Sequence, residues 1–457
     1  MRIKTILLTV ICCVYYISSA QDARYESLFD DGWKFYKGNV AGAEATSFDD
    51  ASWRSIDLPH DWSIETLPDQ KQGEVVGPFS KTSIGTTATG YTVGGTAWYR
   101  KTFTLKAGET YTQSVINFDG VYMNCEVYVN GKLLANHPYG YTPFDVDITS
   151  ALNQAGQPNV IAVKVINEGK NSRWYSGSGI YRHVWLIRKQ PVHIAQNGVW
   201  ASTESLSADK AKIKISAIVE GDFSKATPIQ LLIKLIGPDG KTTETVSIPA
   251  SKVNPGKQID QYIPVKNPKA WSVEKPNLYS AQVEVIINGK LTDRTKIVFG
   301  IRTIHFDAAT GFTLNGKRVL LKGGCLHNDN GFLGSATIDR AEERRVELMK
   351  AYGYNAIRTS HNAPSKQFLA ACDRNGVLVI NEAFDMWERP KNPQDYHLYF
   401  KDWWQKDLKA LIHRDRNHPS VIFWSIGNEI NERVDSLGLR LKKSSWQKLS
   451  VWIAHVL

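Results

Sequence analysis

The chain has 457 residues, 42% hydrophobic and 22% charged, so it is a globular protein too long for one compact core, and roughly three domains are expected. Its formal charge of +10 would suit a nucleic-acid binder, but two of those charges lie in residues 1–20 and four in residues 440–457. An excess of four over the rest of the chain is an ordinary solvated surface, which excludes nucleic acid as a partner.

The N-terminus has the pattern of an export signal. Two basic residues precede a mostly apolar run at residues 6–17, and small residues follow up to Ala20. The run is too short to span a bilayer, so it predicts a signal peptide cleaved near Ala20, with no membrane anchor, and a secreted or periplasmic protein. A lipoprotein would use Cys12 or Cys13, but Ile11 and Cys12 precede them where a small residue is wanted.

Three cysteines remain after the signal peptide: Cys125, Cys325 and Cys372. An odd and sparse set of this kind predicts no disulfide framework. The spacing also does not suit a Cys/His metal site.

Residues 21–190 show short alternating strands separated by turns. In residues 124–129 the apolar side chains alternate, and Asn130-Gly131 then supplies a tight hairpin turn. Further strands are predicted at residues 160–166 and 183–187. The pattern predicts an antiparallel sandwich of the jelly-roll type.

Pro191 marks the start of a second segment, residues 191–303. Its strands are again short, at residues 211–219, 229–236 and 279–287, with a turn at Asn288-Gly289. This spacing predicts an immunoglobulin-like β-sandwich. The segment holds no reactive cluster, and we interpret it as a spacer.

From residue 304 to 457, after a hairpin at Asn315-Gly316, apolar strands alternate with helical patterns. Strands are predicted at residues 319–322, 355–358, 377–381 and 420–425, and helices at residues 338–352, 365–374 and 400–416. Repeated βα units with nearly continuous apolar strands predict a parallel sheet.

In β/α barrels the active site lies at the carboxyl ends of the strands, where the βα loops open. Polar and titratable residues follow all four predicted strands. They are Cys325, His327 and Asn328; Arg358, Ser360, His361 and Asn362; Asn381, Glu382 and Asp385; and Asn428 and Glu429. The sequence therefore predicts a ligand-binding or catalytic rim.

Cleavage of a glycosidic bond requires one acid that protonates the leaving oxygen and a second carboxylate that faces the anomeric carbon. Glu429 is our candidate acid, and Asn428 beside it supplies an amide for a sugar hydroxyl. Glu382 is a candidate for the second carboxylate, although pairing with Arg358 explains it equally well.

At this point the chain resembles a known family. Residues 414–429 resemble the acid/base signature of glycoside hydrolase family 2, the family of β-galactosidases, β-glucuronidases and β-mannosidases. Residues 355–361 with 372–376 resemble its other signature, departing at Asn362, where a tyrosine is usual. Residues 178–186 resemble the end of its sugar-binding domain, and residues 58–62 also match.

The resemblance implies a jelly-roll sugar-binding sandwich, an immunoglobulin-like sandwich and a (β/α)8 TIM barrel, in that order, acting on an oligosaccharide or glycan. It implies that Glu429 is the acid/base and that His361 and His327 line the sugar pocket. The surroundings of Asp61 and the loop at residues 381–387 favour a β-galactosidase. β-Mannosidase stays open, whereas β-glucuronidase would need a cationic grip on the substrate carboxylate that the sequence does not reveal. A non-catalytic carbohydrate-binding protein is the competing class, and homo-oligomerisation stays open.

Some family members bind Mg²⁺ through a Glu and a His on the loop after the third strand. Met386 and Glu388 stand at roughly those places here. One carboxylate does not readily hold a hard cation alone, so we expect no required metal or other cofactor.

The family is retaining and takes its nucleophilic glutamate from the end of the seventh barrel strand. Only 28 residues follow Glu429, and the tail at residues 440–457 is basic and lacks any Asp or Glu. We therefore expect an incomplete barrel without the nucleophile, from a truncated or frame-shifted product, with little or no glycosidase activity.

Overall fold

A computed structural model describes residues 23–65, 75–76, 78–106, 111–224 and 228–452 of the chain. The predicted signal peptide, residues 1–20, lies outside these described residues. Two β-sandwiches are followed by a parallel β/α sheet, which confirms the predicted fold class. No helix in the described part is long and apolar enough to cross a membrane.

The first sandwich contains two antiparallel sheets that share one core. Its strands are β1 (Arg24–Leu28), β2 (Trp33–Lys37), β3 (Arg54–Ile56), β4 (Val75–Val76), β5 (Phe79–Ser80), β6 (Gly95–Thr104), β7 (Gln113–Phe118), β8 (Cys125–Val129), β9 (Lys132–His137), β10 (Phe144–Asp147), β11 (Pro158–Asn167) and β12 (Val184–Lys189). One sheet has the order β1-β12-β7-β10 and the other β3-β2-β6-β11-β8-β9, while β4 and β5 pair only with each other. Side chains from both, such as Phe118 and Ile161, meet in the core, which gives the expected jelly roll.

The local sequence explains the hairpin that β8 forms with β9. Cys125, Val127 and Val129 are buried while the residues between them are partly exposed, as a half-buried strand requires. Asn130 and Gly131 both have positive φ, 50° and 80°, the conformation that a two-residue hairpin turn needs. The predicted turn is confirmed.

The second sandwich has a three-stranded sheet, β13-β14-β17, and a four-stranded sheet, β16-β15-β18-β19. Its strands are β13 (Val192–Leu206), β14 (Lys210–Gly221), β15 (Ile229–Ile236), β16 (Thr242–Ile248), β17 (Gln258–Lys266), β18 (Tyr279–Ile287) and β19 (Lys290–Phe299). Ile213 and Ile263 from one sheet pack with Leu231 and Val283 from the other. This is the predicted immunoglobulin-like arrangement.

A small antiparallel sheet leads into the β/α region. It contains β20 (Ile304–Asp307), β21 (Gly311–Leu314) and β22 (Lys317–Arg318). The following elements are β23 (Gly323–Leu326), α1 (Asp339–Ala351), β24 (Ala356–Thr359), α2 (Lys366–Asn375), β25 (Leu378–Glu382), α3 (His397–Asp415), β26 (Val421–Ser425) and α4 (Ser436–Trp452). Strands β23 to β26 pair in parallel in chain order, as the first half of a barrel does.

Helix α2 illustrates why these boundaries are readable in the sequence. The Ser365 side chain accepts a hydrogen bond from Phe368 N, which caps the N-terminus of the helix. Gly376 ends the helix with a φ of 64°, and a side chain there would collide with the carbonyl of Val273. The three predicted barrel helices are confirmed to within three residues at each end.

The predicted first barrel strand, residues 319–322, is wrong. These residues belong to no strand, and the strand lies at Gly323–Leu326 instead. The Asn355 side chain accepts a hydrogen bond from Lys322 N and donates one to Leu320 O. These two backbone groups are therefore bonded to a side chain and not to the backbone of a neighbouring strand. Leu320 and Leu321 are exposed, so their hydrophobicity did not reflect a buried strand.

His183, directly before β12, joins the jelly roll to the start of helix α1. Its Nδ1 lies 2.6 Å from Asp30 Oδ2, and its Nε2 lies 2.9 Å from Asp339 Oδ1. Burial alone would lower the pKa of His183, but the hydrogen bonds with the two carboxylates outweigh burial and raise the pKa to about 9. The charged imidazole therefore ties two domains together near neutral pH.

We expect the thermal unfolding midpoint to fall as the pH rises from about 6.5 to about 9. A group with a raised pKa in the folded state contributes stability that is complete below its unfolded pKa of 6.5 and is lost as the pH passes its folded pKa of about 9. His183→Gln should lower the midpoint at neutral pH and flatten this slope. Differential scanning calorimetry checks this, and an equal slope in both proteins would contradict it.

Candidate active site

The carboxyl ends of β23 to β26 bring the predicted rim residues together. His327 follows β23, His361 follows β24, Glu382 ends β25, and Asn428 and Glu429 follow β26. The rings of His327 and His361 lie 5.4 Å apart, and His361 Nδ1 lies 2.7 Å from Glu382 Oε1. The spacing of βα units in the sequence was sufficient to predict this grouping.

Glu382 is the buried centre of the rim. Its side chain is fully buried and accepts hydrogen bonds from Arg358 Nη2 at 2.6 Å, His361 Nδ1 at 2.7 Å and Ser425 Oγ at 2.7 Å. Burial would lower the pKa of Arg358, but Glu382 outweighs it and raises that pKa. The structure thus shows the Arg358 pairing that the sequence left as an alternative, and no Glu382 oxygen is exposed to a substrate.

Glu429, in contrast, presents its carboxylate to solvent. Its side chain is 71% exposed, and its backbone has a φ of 45°, in the left-handed region that a glutamate rarely adopts. The preceding residue fixes this turn, because Asn428 N donates to Phe384 O at 2.9 Å. Such a conformation persists only where the surroundings hold it.

Asp385 links Glu429 to its neighbours through a charged network. The Asp385 side chain, 1% exposed, accepts from Arg173 Nε at 2.8 Å and Nη2 at 2.7 Å, from Asn428 Nδ2 at 2.7 Å and from Lys391 Nζ at 2.9 Å. Burial would raise the pKa of Asp385, but these donors outweigh it and lower that pKa. Arg173 also lies 3.4 Å from Glu429 Oε2, so one guanidinium serves both carboxylates.

Arg173 and Trp174 reach the rim from the jelly roll, on the segment between β11 and β12. The Trp174 ring stacks on His327 at 5.2 Å and meets His361 edge-on at 5.5 Å. Burial, and then the neighbouring His361, lower the pKa of His327, so its ring stays neutral beside the indole. Sequence reasoning missed both residues; their only signal was adjacency to the motif at residues 178–186.

Asp61, the remaining predicted site residue, is not brought to the rim surface. Its side chain is 1% exposed and accepts four hydrogen bonds. Ser63 N and Ser178 N donate to Oδ1 at 2.9 Å, and Tyr175 OH and Ser335 N donate to Oδ2 at 2.8 Å. Ser335 belongs to the loop after β23, so Asp61 ties the jelly roll to the barrel.

The residues at the Mg²⁺-ligand places of the family do not fit a magnesium ion. Met386 is buried among apolar side chains, and its thioether is a soft donor that a hard cation does not take. Of the two residues at those places, only Glu388 carries an oxygen ligand that suits magnesium. Among the described residues, no group of three or more His, Cys, Asp or Glu side chains is arranged to hold a metal.

Two β-sandwiches precede a β/α sheet whose rim carries an exposed carboxylate and a stacked indole. The chain matches the family models "Glycosyl hydrolases family 2, sugar binding domain" over residues 33–191, "Glycosyl hydrolases family 2" over 192–302 and "Glycosyl hydrolases family 2, TIM barrel domain" over 308–443. The chain belongs to glycosyl hydrolases family 2.

Curated relatives carry two kinds of name. The chain is 41% identical over 420 residues to "Beta-galactosidase BoGH2A" of Bacteroides ovatus, covering 91% of this chain and 48% of that relative. It is 38% identical over 434 residues to a "Putative beta-glucuronidase" of Formosa agariphila, covering 94% of this chain and 39% of that relative. The chain therefore spans less than half the length of these relatives.

Solved structures agree with the fold. A glycosyl hydrolase family 2 member from Bacteroides cellulosilyticus superposes with a TM-score of 0.88 at 41% identity, over 94% of this chain and 55% of that one. Bacteroides uniformis beta-glucuronidase 2, solved with cyclophellitol-6-carboxylate aziridine bound covalently, gives a TM-score of 0.75 at 29% identity, over 95% of this chain and 51% of that one.

Asp61→Asn should lower the thermal unfolding midpoint by several degrees, because the new amide group would face donors in a buried site, at a cost of about 3 kcal/mol. Tyr175→Phe, which deletes one of the four hydrogen bonds, is the matched control and should cost about 1 kcal/mol. Calorimetry of both variants checks the order. An Asp61→Asn midpoint equal to that of the wild type would contradict the role as an interdomain tie.

Proposed function

We propose that this chain supplies the acid/base part of a retaining β-glycosidase site that acts on terminal β-linked galactosyl residues. The observation that carries the proposal is the exposed Glu429 carboxylate, which lies 3.4 Å from Arg173. Arg173 precedes Trp174, whose ring packs on His327 and His361. If residues 1–20 are an export signal, the reaction takes place outside the cytoplasm.

In the first step Glu429 would donate its proton to the glycosidic oxygen, and in the second it would take a proton from the attacking water. Asn428 Nδ2 uses one hydrogen for Asp385, and its second hydrogen is available to a sugar hydroxyl next to the anomeric carbon. The Trp174 indole offers an apolar surface for a sugar ring.

We place the nucleophile outside the residues that the structure describes. Glu382 and Asp385, the carboxylates that contact Arg358 and Asn428, are buried and neutralised by Arg358, Arg173 and Lys391. Neither offers a free oxygen for a covalent bond to the anomeric carbon. The relatives of about twice this length favour a nucleophile in the part of the family fold that these residues do not span.

A neutral galactoside fits the charges of the rim better than a glucuronide does. Arg173 lies 3.4 Å from Glu429, and Lys391 binds the Asn428 carbonyl, but both cations already bind Asp385. A glucuronide carboxylate would have to compete with Asp385 for Arg173. The beta-glucuronidase names among the relatives make a glucuronide the second candidate substrate. A purely carbohydrate-binding role is the third candidate, and it would be favoured if the chain binds the galactoside but does not cleave it.

The test uses the purified chain with an aryl β-galactoside, with and without azide. Without azide we expect no more than a trace of phenol release, because the glycosyl-enzyme bond needs a second carboxylate. Azide would attack the anomeric carbon from the face opposite the leaving group, so the expected product is α-galactosyl azide. Glu429→Gln should abolish that azide-dependent release, because the aryloxide then leaves without a proton.

Asp402→Asn, the same change of side chain at an exposed residue of helix α3, is the control and should retain the azide reaction. Rapid hydrolysis without azide, with a β-configured product, would contradict the assignment of the nucleophile. Azide-dependent release that survives Glu429→Gln would contradict the assignment of the acid/base. Saturable galactoside binding with no release under either condition would leave the binding-protein alternative standing and overturn the catalytic one.

A further inference from the structure

A second cleft, of about 380 Å³, opens where the jelly roll, the second sandwich and helix α3 meet. Its walls include Asn117, His137 and Asp145 from the jelly roll, Gln196 from β13, and Trp403 and Lys406 from α3. None of the rim residues around Glu429 lines it. The volume is in the range of small-ligand sites.

A β-bulge in β13 builds one wall of this cleft. The register with β14 shifts between Ile194 and Val199, and Asn197 within the bulge has a φ of 51°. Gly198 is required, because a side chain there would meet Ala195 at 2.7 Å. The Asn197 carbonyl accepts from Arg416 Nη2 at 2.8 Å, which fixes the bulge against the barrel. Bulges re-aim side chains, and this one directs Gln196 at the cleft.

Two buried acceptors in these walls have no hydrogen-bond partner in the described part of the chain: Gln196 Oε1 and His137 Nδ1. The His137 side chain is 5% exposed, and its Nε2 lies 3.1 Å from Asp407 Oδ1. In the neutral ring, Nε2 carries the hydrogen that the carboxylate needs, so Nδ1 is left as an acceptor. Buried acceptors of this kind are normally satisfied, and the hydroxyl groups of a bound ligand are donors that could satisfy them.

The charges of the cleft favour an uncharged ligand. Lys406 and Lys409 are balanced by Asp145 and Asp407. Burial and the positive charges nearby lower the pKa of His413, another lining residue, to about 3, so it adds no charge. The Asp145 carboxylate is held by Asn117 Nδ2 at 2.6 Å and offers a further acceptor.

Trp403 supplies the apolar part of the site. The indole is half-buried, with the His137 ring edge-on at 5.4 Å and Lys406 Nζ 4.2 Å from its centre. A partly exposed indole flanked by amides and a carboxylate is the chemistry that recognises sugar rings, whose C–H faces stack while their hydroxyls bond. We propose that this cleft is a second, non-catalytic binding site for a neutral saccharide.

The test uses the full chain labelled with 5-fluorotryptophan and observed by ¹⁹F NMR. Trp403→Phe identifies the Trp403 signal by its disappearance. A non-hydrolysable thio-linked digalactoside is titrated, and the Trp403 signal is expected to shift to saturation with a millimolar Kd. Glucuronic acid at equal concentration should shift it less. Because no turnover is measured, the result does not depend on the catalytic assignments above.

Two variants locate the binding. Gln196→Leu, which keeps the size but removes the acceptor, should raise the Kd by about five-fold or more. His361→Ala, a change at the rim, is the matched control and should leave the Trp403 titration unchanged. A Trp403 signal that does not saturate, or a titration that His361→Ala abolishes and Gln196→Leu leaves intact, would overturn the proposal.

Discussion

The rim depends on the ion pair between Arg173 of the jelly roll and Asp385 of the barrel. The pair is bidentate, and the carboxylate is almost fully buried. Buried ion pairs contribute little net stability because desolvation offsets their attraction, but removing one partner is costly. Their main effect is geometric. Here the pair fixes where the jelly-roll segment that carries Trp174 meets the strand ends.

A continuous chain of contacts extends from this pair across the sheet. Asp385 accepts from Asn428, Asn428 accepts from Arg358 at 2.9 Å, and Arg358 binds Glu382. Both carboxylates in this series of contacts, Asp385 and Glu382, accept hydrogen bonds from cationic side chains, so their charges are held in place before any substrate binds. Glu429 lies at the open end of this network, touching only Arg173 among these groups. One exposed carboxylate therefore lies beside a network of paired charges.

The sequence predicted the elements whose signals are local. Asn130-Gly131 marked a hairpin because both positions need positive φ, and Ser365 and Gly376 marked the ends of a helix. Glu429 was found because a strand, a turn and a signature coincide there. Residues 319–322 were misread because hydrophobicity cannot show that the Asn355 side chain takes their backbone groups.

What the sequence could not show were the contacts between domains. Arg173 and Trp174 lie more than 200 residues from Asp385 and Glu429, and no periodicity indicates which surface of a sandwich will face a barrel. Asp61 was recognised as special, but its function as a tie depends on Ser335 of another domain. The cleft beside Trp403 could not be predicted either, because residues from three domains form its walls.

The most direct measurement is the affinity for a galactose-configured iminosugar, determined by calorimetry for the wild type, Arg173→Met, Asp385→Asn and the double variant, each with native circular dichroism. If the ion pair assembles the rim, each single change weakens binding about ten-fold or more, and the double change weakens it little further. Affinities that stay at the wild-type value, or losses that simply add, would contradict the account.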